Sequence, residues 1–367
     1  MKVAFADIKA TYLRLKPELD TAYARVMGSG QYILGEEVDA FEKEFASFCQ
    51  SAHCVTVANG LEALELILKG YGIGAGDEVI VPANTYIATW LAVTNVGARP
   101  VPVEPDPQTY NIDQDRVEKA ITSKTRAILA VHLYGLPAEM DKLGEIAARH
   151  RLMLIEDAAQ SHGARYRGQT TGSIGQAAAF SFYPTKNLGA FGDAGAVVTN
   201  DIQLAEKVRL LRNYGSKNKY QHLIPGVNSR MDPLQAAFLR VKLKHLEQWN
   251  RERLLAAAFY QERLGGLKGL VLPGASVYCE PCWHQFVVRI RERDRLKLAL
   301  EKVGIETMVH YPVPPHLSPA YASHKYKTGD FPLAEEIANT ALSLPMGLHL
   351  DPEVQGYVTG EIIKALK

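Results

Sequence analysis

The sequence has little of what a membrane, nucleic-acid or secreted protein needs. No apolar run approaches the roughly 20 residues of a membrane-spanning helix. The first residues, MKVAFADIKATYLRLKPELD, become charged before the apolar core of a signal peptide could form. Since 41 Lys and Arg residues balance 40 Asp and Glu residues, the usual electrostatic argument for a nucleic-acid or anionic-membrane partner is absent. We therefore expect a cytoplasmic protein that contacts neither nucleic acid nor membrane.

Cysteine is also scarce, which bears on metal binding. The four cysteines and the two histidines nearest to them are Cys49, Cys54, Cys279, Cys282, His53 and His284. The first cysteine pair has the wrong spacing for a zinc site, and Pro281 interrupts the second pair. An isolated buried cysteine usually behaves as a small hydrophobic residue. We expect no metal site.

The arrangement of apolar runs predicts an α/β fold. Of the 367 residues 47% are hydrophobic and 22% charged, enough for a large domain with a smaller one attached. From about residue 54 to 200, short apolar runs such as CVTVA, DEVIVP and RLMLIEDAAQ alternate with amphipathic stretches. This rhythm is typical of a mostly parallel sheet covered by helices on both faces.

Helical periodicity continues through DPLQAAFLRVKLKHLEQWNRERLLAAAFYQERL, which we interpret as two helices or one bent helix leading out of the large domain. We place the boundary there, with a large domain over 1–245 and a smaller α+β domain over 246–367. In the smaller domain HQFVVRI and ETMVHYPVP are predicted strands. Helices near 8–28 and 36–50 are expected to pack near this smaller domain.

Polar residues follow the predicted strands at the edge where ligands of such folds gather. Asn59-Gly60 comes after VTVA, Asn84-Thr85-Tyr86 after VIVP, Asp157 after LMLIE and Lys186 after AFSFY. A lysine in that place, desolvated by apolar neighbours, loses proton affinity and can attack a carbonyl. Taken alone, the stretch AFSFYPTKNLGAFGDAGAVVTND is better explained by a surface lysine in a glycine-rich turn.

The carboxylate of Asp157 follows a buried run and therefore needs a cation or several donors. A protonated pyridine nitrogen would meet that need. Pyridoxal 5'-phosphate (PLP) requires a lysine, a carboxylate facing the ring nitrogen, a clamp on the ring face and a phosphate cradle. Candidates for the clamp and cradle are Tyr86, the N–H groups after Asn59-Gly60, and Ser181. Each of these also has an ordinary structural explanation, as a core aromatic, a turn or a strand serine.

Three segments, EDAAQSHGA, FSFYPTKNLGAFGDAGAVVTND and GVNSRMDPLQAAFL, carry a resemblance. In that order and spacing they resemble the sugar aminotransferases of the DegT/DnrJ/EryC1/StrS family, which have the aspartate aminotransferase fold (PLP-dependent fold type I). The likeness extends from about GEEVDAFEKEFASF to the C-terminus. Lys186 argues against the branch of the superfamily that carries histidine there and dehydrates sugars.

The resemblance implies roles for single residues. Lys186 would form the Schiff base with PLP, Asp157 would face the pyridine nitrogen, and Gln160 would lie beside the ring hydroxyl. The remaining cofactor contacts implied are the ring stacking of Tyr86, the backbone amides of Gly60 and Leu61, the hydroxyl of Ser181, and Asn228 from a neighbouring subunit. The active site would then be shared within a homodimer.

The resemblance also implies a substrate class. ANGLEAL and GDAGA depart from the commonest family pattern and, with NTYIATWLAV and VEPD, look most like the subgroup acting on dTDP-linked 3-keto-6-deoxyhexoses, with L-glutamate as amino donor. The first departure leaves one side-chain phosphate contact open. Other keto-sugars (4-keto or UDP-2-acetamido-3-keto), an aminocyclitol precursor, and a non-catalytic PLP-fold binding protein stay as alternatives. A nucleotide-binding oxidoreductase is disfavoured because no dinucleotide-type glycine fingerprint follows the first strand.

The predicted substrate contacts lie in the loops. MVHYPVPPHLSPAY offers a ring edge and a hydroxyl from His310 and Tyr311. His162 is expected to lie behind the reacting groups and to take no part in the chemistry. The further sugar-nucleotide contacts we predict are Tyr183, Tyr214, Arg230 and Lys219, the last of them opposite the diphosphate, although subunit packing or solvated loop charge would explain the latter three.

Overall fold

The computed structural model describes residues 1–218 and 220–367. Lys219, one of the predicted substrate contacts, lies outside the described residues. None of the helices in those ranges combines the length and apolar character that crossing a bilayer requires.

The helices of the described ranges occur along the whole chain. In chain order they are α1 (Ile8–Ser29), α2 (Glu36–Phe48), α3 (Gly60–Gly70), α4 (Ala88–Asn95), α5 (Gln114–Val117), α6 (Met140–His150), α7 (Ile202–Leu211), α8 (Pro233–Leu243), α9 (Leu246–Leu264), α10 (Arg293–Lys302), α11 (Pro332–Thr340) and α12 (Pro352–Ala365).

The strands are short and most belong to the first two thirds of the chain. In chain order they are β1 (His53–Val57), β2 (Glu78–Pro82), β3 (Arg99–Val103), β4 (Thr125–Val131), β5 (Met153–Asp157), β6 (Arg165–Tyr166), β7 (Gln169–Thr170), β8 (Ala177–Ser181), β9 (Gly195–Thr199), β10 (Ser216–Asn218), β11 (Gln221–His222), β12 (Cys279–Glu280), β13 (Phe286–Arg289) and β14 (Ala341–Leu344).

A central sheet organises the molecule and confirms the α/β prediction. Within the described ranges seven strands form it, in the order β1-β9-β8-β5-β4-β2-β3. The pairs from β8 through β5, β4 and β2 to β3 are parallel, whereas β9 runs antiparallel to both of its neighbours. The parallel strands are nearly continuous apolar runs because helices cover both of their faces.

The reversed strand β9 determines which residues meet at the sheet edge. Because it is antiparallel, its first residue, Gly195, lies at the edge where β1 and β8 end. Gly195 pairs with Val57 of β1 on one side and with Ser181 of β8 on the other. The residue that opens β9 is therefore beside the turns that follow two other strands.

Alternate residues of the strands pack into separate cores, as a period of two requires. On one face Val55, Val79 and Val197 pack with α3, α4 and α7. On the other face α2 and α8 cover β8 and β9, where Phe41 and Phe180 are fully buried. The described part of the sheet is thus enclosed by helices, and its polar side chains gather at its ends.

The C-terminal third has its own apolar cluster, built around the antiparallel pair of β13 and β14 and the helices α9, α10 and α12. The prediction of a strand at ETMVHYPVP is wrong. Among the described residues this segment pairs only through Met308, which makes an isolated bridge to Ser343. The prolines that follow Tyr311 have no N–H to donate to a ladder, and the segment instead forms a wall of the cleft described below.

The predicted long helical segment is two helices, α8 and α9. Helix α1 packs Leu15 and Leu19 against α8 and Trp249 of α9, whereas the apolar residues of α2 pack on the central sheet. Strand β12 pairs with β6, so a segment beyond residue 246 is hydrogen-bonded to the first part of the chain. The division into 1–245 and 246–367 stays a prediction.

Candidate active site

A solvent-open cleft with an empty volume of about 1430 Å³ lies at the carboxyl ends of the parallel strands. Its floor comes from the turns after β1, β2, β5 and β8, and its far wall from residues near 285 and 310. Ten of the predicted site residues line it: Gly60, Leu61, Tyr86, Asp157, Gln160, Ser181, Tyr183, Lys186, His310 and Tyr311. Residues distant in the sequence thus face one space.

The turn after β1 offers free backbone donors. Asn59 caps α3, and its side chain accepts from the N–H of Glu62 at 2.9 Å. The first two N–H groups of the helix, those of Gly60 and Leu61, have no carbonyl within the helix to pair with and adjoin the cleft. Such a helix N-terminus stabilises an anion, phosphate above all.

Two glycines bring this turn close to its neighbours. A Cβ on Gly60 would lie 2.6 Å from the Cβ of Ser181, and a Cβ on Gly195 would lie 2.4 Å from the carbonyl carbon and oxygen of Asn59. Real side chains do not approach that closely. The hydroxyl of Ser181 and the amides of α3 can therefore act on the same ligand only because both positions lack a side chain.

Asp157 ends β5 in the floor of the cleft. One carboxylate oxygen accepts from the hydroxyl of Thr89 at 2.9 Å and the other from the N–H of Ala159 at 3.2 Å. Burial raises the pKa of Asp157, against the smaller opposing effects of those two donors and of the Lys186 charge. Its charge is incompletely compensated, so a cationic ligand group in the cleft would stabilise it.

Glu156 precedes it on the same strand and faces the other side of the sheet. Its carboxylate accepts from the backbone N–H groups of Gly172, Ile174 and Gly175 at 2.7–2.9 Å and from His132 Nε2 at 2.8 Å. Because the N–H of Ala138 donates to His132 Nδ1, the imidazole proton lies on Nε2 and points at Glu156. This carboxylate is saturated with donors and holds the loop at 172–175.

Lys186 lies in the loop after β8, and its backbone N–H donates to the carbonyl of Tyr183 at 2.8 Å. The side chain is partly buried. That burial lowers the pKa of Lys186 to about 8, against the attraction of the Asp157 carboxylate, which raises it. A larger fraction of the amine is neutral near physiological pH than for a solvated lysine, which suits attack on a carbonyl.

A set of hydrogen bonds fixes the amide of Gln160. Its Oε1 accepts from the N–H of Tyr134 at 2.6 Å, so its Nε2 faces Tyr311, whose hydroxyl accepts at 3.0 Å. The hydroxyl of Tyr134 in turn donates to the carbonyl of His310. Gln160 therefore presents N–H donors to the cleft and is tied to its far wall.

Aromatic rings stand at the entrance of the cleft. The rings of Tyr86 and Tyr311 are 5.2 Å apart between centroids. Tyr86 is half exposed, while burial raises the pKa of Tyr311 well above its usual value and keeps its hydroxyl protonated. Together they offer a ring face and a hydroxyl donor to whatever enters.

Three further predicted residues are described but do not line the cleft: Asn228, Tyr214 and Arg230. Asn228 is exposed and forms an isolated bridge with Asn213. Arg230 donates to the Asn213 side chain at 2.9 Å and lies 5.6 Å from the Tyr214 ring centroid. The three share one surface, so any role in a cleft would be in that of another copy of the chain.

Other residues weighed from the sequence have structural surroundings. His162 is buried beside Phe180 and Phe182, and neither ring nitrogen has a hydrogen-bond partner in the part of the chain that the structure describes. Burial lowers the pKa of His162 to about 3. All four cysteines are free. Across residues 1–218 and 220–367, no three His, Cys, Asp or Glu side chains are placed to hold a metal ion.

Several residues of the cleft are not among those predicted from the sequence. Thr89, which donates to Asp157, follows Thr85 by four residues, and the two hydroxyls are 2.9 Å apart. In the stretch TYIATW, a spacing of four residues predicts that the two threonines lie on the same face of a helix. No local signal identifies His284 and Gln285, because they reach the cleft from the segment just before β13, more than 90 residues beyond Lys186.

Comparison with known proteins connects this geometry to a family. The DegT/DnrJ/EryC1/StrS aminotransferase family matches residues 14–363. The dTDP-3-amino-3,4,6-trideoxy-alpha-D-glucose transaminase of Streptomyces venezuelae is 55% identical over 350 residues, covering 95% of this chain and 92% of the relative.

Two solved structures resemble the chain throughout. One, of S. venezuelae DesV in complex with a ketimine intermediate, has a TM-score of 0.98 at 53% identity and covers 100% of this chain and 99% of that one. The other, NtdA from Bacillus subtilis with bound cofactor PMP, has a TM-score of 0.91 at 32% identity and covers 100% and 85%.

Proposed function

The chain belongs to the DegT/DnrJ/EryC1/StrS aminotransferase family, and on that premise we propose its substrates and the roles of its residues. It is a sugar aminotransferase that uses PLP. We propose that it moves the amino group of L-glutamate to the third carbon of a dTDP-linked 3-keto-6-deoxyhexose. The product is a dTDP-3-amino-3,6-dideoxyhexose for polysaccharide, S-layer or antibiotic sugar synthesis.

The observation that carries this proposal is the pairing, in one cleft, of an under-compensated carboxylate with a lysine of lowered pKa. The name of the S. venezuelae relative, a 3-amino sugar transaminase, supports the position of amination. A binding protein without catalysis would have no use for a lysine amine kept partly neutral beside a carboxylate.

The residues present fit PLP at each of its polar groups. The N–H groups of Gly60 and Leu61 and the Ser181 hydroxyl would hold the phosphate, and Asp157 would pair with the protonated ring nitrogen. The free N–H of Gln160 would donate to the ring oxygen, since its Oε1 is already used by Tyr134. Tyr86 would cover the ring, and Lys186 would bind the aldehyde carbon.

The proposed chemistry divides between the cofactor and the chain. When bound, PLP supplies an electron sink for the carbanion that forms at the donor's α carbon. Lys186, once its amine is free, takes the proton from that α carbon, and in the second half-reaction it returns a proton to the sugar carbon that gains nitrogen. Asp157 keeps the ring nitrogen protonated throughout. The two substrates use the same cleft in turn, so the kinetics are ping-pong.

We propose that two copies of the chain complete each site. Asn228 is exposed and lies outside the cleft of its own chain, on a surface with the half-exposed Tyr214 and with Arg230. Tyr214 and Arg230 would approach the sugar nucleotide from the partner. Tyr183, His310 and Tyr311 line the cleft and would contact the sugar nucleotide from the same chain.

Product analysis tests the proposed function. The purified protein, loaded with PLP and supplied with L-glutamate, is offered the gluco and galacto forms of the dTDP-3-keto-6-deoxy sugar in competition. We expect an amine at the third carbon and 2-oxoglutarate in equal amount. Amination only of 4-keto, UDP-2-acetamido-3-keto or cyclitol substrates would reassign the acceptor, and no bleaching of the protein's colour by glutamate would exclude the enzyme assignment.

A further inference from the structure

The side chain of Gln285 is a polar group of the cleft to which the proposed mechanism gives no role. It lines the cleft beside His284 and His310, and its residue is only 5% exposed. Its Nε2 donates to His310 Nε2 at 3.1 Å, while its Oε1 has no hydrogen-bond partner among the described residues. A buried acceptor without a donor is uncommon, because most buried polar atoms in proteins are paired.

The surroundings hold this amide in one place. The N–H of Gln285 donates to the carbonyl of Tyr134 at 3.1 Å, and the next residue begins β13. Since His310 Nε2 accepts from Gln285, the imidazole proton lies on Nδ1 and is donated to Ser343 Oγ at 2.7 Å. Burial lowers the pKa of His310 to about 4, so the ring stays neutral near physiological pH.

Neighbouring acceptors in the cleft are already occupied, which sets Gln285 apart. Gln160 Oε1 accepts from Tyr134, and both oxygens of Asp157 accept from protein donors. The unused Oε1 of Gln285 can therefore accept a hydrogen bond from a donor that a ligand brings.

The chemistry of the two proposed substrates, glutamate and the keto-sugar, decides which of them supplies the hydrogen-bond donor for Gln285 Oε1. Both carboxylates of glutamate can only accept hydrogen bonds, and its amine is the group that reacts. The sugar, in contrast, carries hydroxyl groups that donate. The proposed acceptor has hydroxyls on both carbons beside the keto carbon, and the hydroxyl at the second carbon is the one that it shares with the 3-amino-3,4,6-trideoxyhexose named for the relative.

Building on the function proposed above, we infer that Gln285 Oε1 accepts a hydrogen bond from the sugar hydroxyl at the second carbon and so orients the keto group during the second half-reaction. Gln285 is thus a specificity-determining residue for the sugar and has no role toward glutamate. His310 and Ser343 act through it, by fixing which end of the amide faces the sugar.

Single-turnover measurements of the two half-reactions test this assignment, with Gln285→Leu in the PLP-loaded enzyme. The reaction of the aminated enzyme with the keto-sugar should lose about tenfold to hundredfold in kcat/KM, as expected for a buried hydrogen bond. The reaction of the PLP form with glutamate should stay within about twofold of wild type, because glutamate has no donor to lose there.

A double-mutant-type cycle compares wild type and Gln285→Leu on the keto-sugar and on its 2-deoxy form. It separates loss of the hydrogen bond to the sugar from a general distortion of the cleft. Wild type should discriminate against the 2-deoxy sugar by the same factor that Gln285→Leu loses, and the variant should not discriminate at all. Ser343→Ala loosens the hold of His310 on the amide but leaves Oε1 in place, so it should lose part of the same discrimination. If Gln285→Leu does not fold, the shorter amide of Gln285→Asn replaces it and should lose the same discrimination.

Equal slowing of both half-reactions by Gln285→Leu, or discrimination that persists in the variant, would overturn the assignment. Neither result would affect the proposed function, which fails if wild type aminates no dTDP-linked 3-keto-6-deoxyhexose.

Discussion

Two neighbouring carboxylates on β5 face opposite sides of the central sheet and have opposite surroundings. Glu156 accepts four hydrogen bonds, three of them from the backbone of one loop, and has no exposed side-chain surface. Asp157, one residue later, receives two, and burial raises its pKa. The first carboxylate is complete without a ligand, whereas the second is not.

The difference lies in the number of donors, since the two groups are the same chemically and nearly equal in burial. A buried carboxylate with its donors in place belongs to the fold. One that lacks donors at the edge of a ligand cleft keeps a high proton affinity until a cation arrives. The comparison therefore predicts that substitutions on the Asp157 side lower turnover and leave the free energy of unfolding unchanged. Substitutions on the Glu156 side should lower the free energy of unfolding and leave turnover unchanged.

The largest effect should follow Lys186→Ala, on the Asp157 side. We expect loss of amino transfer and of the visible absorbance of the lysine-bound cofactor, because no other lysine lines the cleft within the described residues. Lys242 provides a matched control, since burial lowers its pKa to about 8 as well and it lies outside the cleft. Lys242→Met should keep most of the turnover; full turnover in Lys186→Ala would refute the assignment.

The next effect is that of Asp157→Asn. The amide cannot keep a ring nitrogen protonated, so turnover should fall by about 10²–10³-fold, the scale of a lost electrostatic contact in an active site. The free energy of unfolding without cofactor, measured in urea, should be unchanged or higher, since an under-compensated charge is removed. If Asp157→Asn lowers the free energy of unfolding in urea but leaves turnover unchanged, the comparison of the two carboxylates is wrong.

Glu156→Gln should produce the opposite pattern. The amide nitrogen would face one or two backbone N–H groups of the 172–175 loop, and the free energy of unfolding should fall by about 1–3 kcal/mol. Turnover per folded molecule should stay close to wild type. If urea unfolding is unaltered, the four donors around Glu156 contribute less than their geometry implies.

A smaller effect tests whether the cleft needs a second copy of the chain. Asn228→Ala should weaken PLP retention by about tenfold, as expected for the loss of one hydrogen bond to a charged group. Mixing it with Lys186→Ala gives hybrid dimers in which one of the two sites carries neither change. Recovery of activity on mixing would support the shared site, and unchanged retention would show that the cradle is built without Asn228.

The smallest effect is one of pH. Because burial lowers the pKa of Lys186 to about 8, imine formation between the cofactor-free protein and an aldehyde should accelerate about tenfold from pH 7 to 9 and then level off. For the same group the folded pKa is below the unfolded value, so its contribution to stability improves as pH rises from about 8 toward 10.5. A rate that keeps rising about tenfold per pH unit through pH 9, without levelling off, would mean a solvated lysine.

The sequence allowed the floor of the cleft to be predicted better than its walls. Gly60, Asp157 and Lys186 each follow a short apolar strand, and parallel strands end at one edge, so local pattern was enough to bring them together. Gln285 and the Thr89 hydroxyl depend on contacts between distant segments. ETMVHYPVP has the residues of a strand, but its prolines and its place on the cleft wall prevent pairing.

Gly195 has a consequence for how such an enzyme can change. A single added carbon at this position would meet the backbone of Asn59, and one at Gly60 would meet Ser181. The phosphate turn thus tolerates no variation at two of its closest points, whatever sugar is bound. New substrate preferences would have to arise around Gln285 and His310, so an engineer seeking a different sugar should randomise that wall and leave the glycines of the sheet edge untouched.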